Sequence, residues 1–176
     1  MSAAPRAKLL APFSVRSFRF QWPADLSTSW AFEMETIILG WYVLVETGSV
    51  LMLTLFASLQ LVGTLVAPMF GLVGDRIGHR NLLCGMRATY AALAAVIAVL
   101  AMTDMLSPWL VLVVAALAGF VRPSDLVMRN AIIGETMPAA RLMGAMSVSR
   151  TTADSARIAG ALAGAGIVAI LGMAAA

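Results

Sequence analysis

The sequence predicts an all-α, polytopic membrane helix bundle. Three observations carry that prediction. Sixty-one percent of the residues are hydrophobic and only 12% are charged, where soluble domains carry roughly 25% charged residues. The apolar residues fall in runs long enough to cross a bilayer, whose hydrocarbon core of about 30 Å takes roughly 20 residues per helix. Gly, Ser, Pro and Asp punctuate the chain between those runs. With short turns, 176 residues hold about five spans after a basic leader.

Residues 1–20 form the leader. They carry Arg6, Lys8, Arg16 and Arg19 and no acid. No apolar stretch with a small-residue cleavage site follows these cations, so this is no signal peptide. The leader suits the anionic headgroups of a cytoplasmic membrane face. Residues 21–176 form a partial amino-terminal bundle, with spans at 22–45, 50–70, 82–102, 109–133 and 142–172. The turns are Glu46-Thr47-Gly48-Ser49, a charged hinge from Gly71 to Leu83, a stretch from Thr103 to Pro108, and one from Gly134 to Arg141. Trp22 and Trp109 stand at span starts, and Trp41 and Tyr42 near a span end, where aromatic belts form.

Lys/Arg asymmetry sets orientation. The leader holds four cations, the hinge holds Arg76 and Arg80, and the fourth-to-fifth turn holds Arg141. The other two turns hold Glu46 and Asp104 and no cation. The leader and hinge are therefore cytoplasmic, and an odd number of spans puts the C-terminus outside.

Several function classes drop out. The basic residues are spread thinly and form no nucleic-acid footprint. Cys84 is the single cysteine, which excludes an internal disulfide and a multi-cysteine metal site. No zinc-type His/Glu cluster occurs, and no cofactor motif is present. A lipid phosphotransferase needs clustered aspartates, and the hinge has only Asp75. An intramembrane serine protease needs a histidine within the membrane, and the single one, His79, lies in the hinge. The chain reads as no enzyme.

Ionisable groups inside a bilayer are costly and face a bundle interior or water. The third span has almost none beyond Arg87, and its body faces lipid. The fourth span carries Arg122, Asp125 and Arg129, and the fifth carries Arg150, Asp154 and Arg157. Helical spacing puts each set on one face, plus-minus-plus. The first span carries Asp25, Glu33 and Glu35. Glu33 and Glu35 are two apart and point in nearly opposite directions. These nine residues either line a charged cavity or form structural ion pairs between helices. Burial disfavours the charged form of a carboxylate, so an acid in the first span is also a candidate proton carrier, Glu33 ahead of Glu35. Gln60 and Thr64 share a face of the second span, as a cavity wall or an interhelical hydrogen bond. Gly160 and Gly164 of the fifth span permit close helix packing.

The hinge, Gly71-Leu-Val-Gly-Asp75-Arg76-Ile-Gly78-His79-Arg80, resembles the loop between the second and third spans of major facilitator superfamily transporters. That pattern runs Gly-x-x-x-Asp-Arg-x-Gly-Arg-Arg/Lys. Gly71, Asp75, Arg76, Gly78 and Arg80 match, and His79 stands where the family carries a permanent cation. Arg157, Gly160 and Gly164 resemble the family's fifth-span pattern, with Ala161 in place of its proline. Glu46-Thr-Gly-Ser49 is similar to the first turn of bacterial siderophore and drug exporters in the family. The resemblance implies a secondary transporter working by alternating access on a small organic molecule, driven by protons, in a bacterial inner membrane. It implies that this chain is the amino-terminal part, lacking a carboxy-terminal half. It gives Asp75, Arg76 and Arg80 the role of a switch between halves, to which His79 would add a charge that changes near neutral pH. The competing reading is a non-transporting membrane protein that packs with a partner chain or a second copy.

Overall fold

The computed structural model describes residues 11–171. A 3-10 turn, Ala11–Ser14, leads into six α-helices: α1 Arg16–Thr47, α2 Val50–Leu59, α3 Ala67–Ile77, α4 His79–Met102, α5 Pro108–Thr136 and α6 Ala139–Leu171. There is no strand among the described residues, and the fold is an all-α polytopic bundle. Three helices, α4, α5 and α6, are long and apolar enough to cross a membrane by length and composition, and α2 with α3 makes a fourth if that bent pair is one span. The expected first span, α1, has the length but not the apolarity, because Asp25, Glu33 and Glu35 lie along it.

Local chemistry sets the breaks. Gly48, at φ 60°, ends α1 by donating its N–H to the Leu44 carbonyl at 2.9 Å. This left-handed cap is where glycine meets no Cβ penalty. Ser49 then caps α2, accepting from the Met52 N–H at 3.4 Å. Ser107 does the same for α5, with Pro108 in its first turn, where a missing N–H costs nothing.

The helices differ from the expected spans in three places. The helix that carries the expected first span, α1, starts at Arg16, so residues 16–20 of the expected leader are helical. Arg6, Lys8 and residue 172 lie outside the described residues. The second span is not one straight helix over 50–70. It stops at Leu59, passes through a 3-10 turn at Val62–Thr64, and resumes at Ala67 with a bend of 43°. Pro68, which has no N–H to give Thr64, and flexible Gly63 account for the break. Nor is the hinge a loop. α3 runs to Ile77 and α4 starts at His79, leaving Gly78 alone between them at φ 89°. The Gly78 N–H bonds the Gly74 carbonyl at 2.8 Å, and its carbonyl accepts from the Leu82 N–H at 3.1 Å. Gly71, Asp75 and Arg76 therefore belong to α3, and His79 and Arg80 to α4.

Successive spans run antiparallel, so the hinge, the start of α1, the end of α5 and the start of α6 share one end of the bundle. α5 is the hub: it contacts every other helix and is the most buried of the three long apolar helices. α1 and α6 pack along their length. At the far end Leu39, Val43, Phe56, Val111, Leu112 and Ala115 form one apolar core. At the hinge end Phe18, Ile133, Met137 and Ala145 form another. Leu83 and Met86 of α4 pack on Met128 of α5, while α4 beyond Tyr90 is largely exposed.

Glycines fix two close crossings. A Cβ added at Gly63 would fall on the carbonyl of Gly119, and one at Gly119 on the carbonyl of Leu59. A Cβ at Gly160 would lie 2.9 Å from the Glu33 Cβ, and one at Gly164 3.3 Å from the Met34 Cα. The second crossing brings α6 onto the acidic stretch of α1.

Candidate functional site

The interior charges divide into two networks at different depths. The deeper-buried one joins three helices. Asp25 of α1 and Asp125 of α5 are 5% and 2% exposed, and Arg129 of α5 is 5% exposed. Arg129 lies against Asp125, one helical turn before it, and its Nε is 3.6 Å from Asp25. It also donates to the Ser29 hydroxyl at 3.0 Å and to the Asp25 carbonyl at 3.3 Å. Arg87 of α4 donates to Asp25 and approaches Asp125 to 3.6 Å. Two carboxylates and two guanidiniums make the group formally neutral, which buried charge requires. The sequence put Arg87 at a span end without a role. Only the packing of α4 on α5 brings it to the aspartates, and no pattern in one helix could have shown that.

The second network lies nearer the middle of α1. Arg122 of α5 is 3.4 Å from Glu33 and donates to Thr36 at 2.8 Å and to the Gln60 side-chain oxygen at 2.5 Å. Its guanidinium also stands 5.2 Å above the Phe32 ring, in reach of a cation–π contact. Arg157 of α6 reaches the same Glu33 oxygen at 3.7 Å. One carboxylate is thus shared by two arginines from two helices, with α2 supplying Gln60 at its broken end. Thr64, across the break, bonds its own backbone at Leu61 and is exposed.

The two plus-minus-plus stripes therefore do not act as units. Arg122 parts from Asp125 and Arg129, and Arg157 parts from Arg150 and Asp154. Arg150 and Asp154 form a 3.2 Å pair with side chains 65% and 50% exposed. Glu35 makes no ion pair or hydrogen bond among the described residues. It lines a small pocket under Arg122 with Tyr90 and Gln60, and also a groove of about 720 Å³ between α1 and α4. Glu33 and Glu35 thus face different surroundings, as their spacing requires. The Trp22 indole N–H donates to Thr152 of α6 at 2.8 Å, which ties α1 to α6 at the hinge end. Trp41 and Trp109 are half or more exposed.

At the hinge end His79 stands between two acids. Its Nδ1 is 2.6 Å from Glu135 at the end of α5, and its Nε2 is 3.4 Å from Asp75 of α3. Arg76 and Arg80 are exposed and make no ion pair among the described residues. No group of three His, Cys, Asp or Glu among the described residues could hold a metal ion.

A family model described as transmembrane secretion effector, a major facilitator family, matches residues 7–176. No curated protein and no solved structure matches the chain. The match spans nearly the whole chain, and long apolar helices are what such a membrane protein requires. The chain belongs to the transmembrane secretion effector family of the major facilitator superfamily.

Proposed function

We propose that this bundle takes part in proton-coupled export of a small organic molecule by alternating access, in a bacterial inner membrane with the hinge end cytoplasmic. Alternating access needs a second bundle for this one to rock against, so the working transporter includes a carboxy-terminal half. The observation that carries the reading is Glu33, one intramembrane carboxylate held between Arg122 and Arg157. Protonating such a carboxylate removes the charge that holds both arginines. Arg122 would then keep its hydrogen bonds to Thr36 of α1 and to Gln60 but lose the charge attraction to Glu33, and Arg157 would lose its hold from α6. A proton thereby changes how α1, α5 and α6 grip one another, which is what coupling demands. The buried aspartate–arginine group supports this as a fixed frame, because its charges are balanced and three of the four are nearly sealed. The protein performs no covalent chemistry in this reading.

The test is substrate efflux from proteoliposomes of the full-length transporter, with and without an imposed pH gradient. Glu33→Gln is expected to transport without responding to the gradient. A variant that keeps the parent's full gradient dependence would remove Glu33 from the mechanism.

A further inference from the structure

Histidine at position 79 faces a carboxylate with each of its ring nitrogens, and the two carboxylates come from different helices. Glu135 of α5 lies 2.6 Å from Nδ1, and Asp75 of α3 lies 3.4 Å from Nε2. An imidazolium has two N–H donors and serves both acids. A neutral ring has one N–H and one lone pair. The short contact to Glu135 claims that single donor, so the lone pair then points at Asp75. A lone pair against a carboxylate is repulsive, so the arm to α3 is the one that fails.

Both acids are solvent-exposed, and neither has another ion-pair partner among the described residues. On α3 the nearest cation in sequence, Arg76, is exposed and unpaired among the described residues, as is Arg80 on α4. On α5 the cation nearest in sequence, Arg129, is taken by Asp25 and Asp125. The ring is also held in place sterically. A Cβ at buried Gly74 would come within 2.9 Å of the His79 ring and 3.1 Å of the Met128 sulfur. The absence of that Cβ gives the ring its seat between α3 and α5.

From this geometry we infer that His79 is a proton-dependent clasp, which ties the end of α3 to the end of α5 across the Gly78 turn when it is an imidazolium and releases α3 when it is neutral. The clasp is a second proton-responsive point, distinct from Glu33 and at the hinge end of the bundle. It regulates the mobility of the hinge whether or not Glu33 couples transport.

The test reads distance, not transport, so its failure is separable from failure of the export reading. The whole 176-residue chain is placed in nanodiscs with spin labels at Ile77→Cys on α3 and Thr136→Cys on α5, both exposed positions, in a Cys84→Ala background. Distance distributions are recorded by pulsed electron paramagnetic resonance at about pH 5.5 and about pH 8.5, on either side of histidine's ordinary range. The parent should give a narrow short distance at the lower pH and a broader, longer one at the higher pH. His79→Arg should stay short at both, and His79→Gln long at both. A label on native Cys84 paired with Thr136→Cys reports α4 against α5 and should not move. If the His79→Arg chain does not insert, Asp75→Asn takes its place and should lose the pH response. A parent distance that ignores pH, or a His79→Arg or Asp75→Asn chain that keeps the parent's response, overturns the clasp.

Discussion

Gly63 and Gly119 meet backbone to backbone, where the broken second span crosses α5, and neither position has room for a methyl group. The obstructing atoms are carbonyls of the main chain, which cannot rotate aside as a side chain can. Gly119→Ala is therefore expected to destabilise the bundle by about 1–3 kcal/mol, the usual range for overpacking. Thermal unfolding followed by size-exclusion chromatography in detergent measures it. Gly71→Ala, which meets nothing within 4 Å, is the control and should melt with the parent.

The two arginine–aspartate pairs of α5 and α6 should respond very differently to removal of one partner. Arg129→Met leaves two nearly sealed carboxylates to share the single cation Arg87, and breaking a buried network in this way costs roughly 3–5 kcal/mol. Arg150→Gln breaks an exposed pair of the kind that contributes about 0–1 kcal/mol. Folded yield and melting temperature should fall sharply for the first and stay near the parent for the second. Equal effects would mean that the two pairs do not differ in depth.

Arg87 should behave as a full member of the buried group and not as a span-end cation. Arg87→Ala is expected to lower stability nearly as much as Arg129→Met. Adding Asp25→Asn should recover part of the loss, because it removes the carboxylate left without its donor. A double-mutant cycle on melting temperature gives the coupling directly.

Gly160→Leu should prise α6 from α1 at Glu33, since its Cβ already falls 2.9 Å from the Glu33 Cβ. Arg157 would then lose its reach to Glu33. Disulfide formation between Ile37→Cys and Gly164→Cys, whose Cβ positions lie 3.6 Å apart, within disulfide reach, should slow relative to the parent background, while the α4–α5 packing near Leu83 is unchanged.

Cation asymmetry predicts a cytoplasmic hinge and an Asp104 that faces outside. In a Cys84→Ala background, Asp104→Cys should react with an impermeant maleimide from outside whole cells, and Ile77→Cys only after lysis. Labelling of position 104 from the cytoplasm alone would reverse the topology.

Much of this architecture was legible in the sequence because it depends on length and punctuation. The apolar runs, the Gly48-Ser49 and Ser107-Pro108 turns, and the polar faces of α1, α5 and α6 are all local properties. What the sequence hid depends on contacts between helices. Arg87 looks isolated in its own helix and gains its role from Asp25 and Asp125. The stripe on α5 reads as one unit by periodicity, yet Arg122 is drawn away by Gln60, which is available because α2 stops at Leu59. That stop is foreshadowed by Pro68, but an apolar run from 50 to 70 reads more simply as one helix. His79 was legible as a departure from a pattern, and Glu135 was not legible as its partner.

The turn at Gly78 has a mechanical meaning. A flexible loop would let α3 and α4 reorient independently. One residue allows rotation about only two torsions, so the pair behaves as a jointed lever. α3 has 11 residues, giving an arm of about 16 Å at 1.5 Å per residue. A swing of about 10° at the joint carries its far end through roughly 3 Å. That far end adjoins the break beside Gly63 and Gln60, so a small rotation at the membrane face is delivered as a displacement next to Arg122.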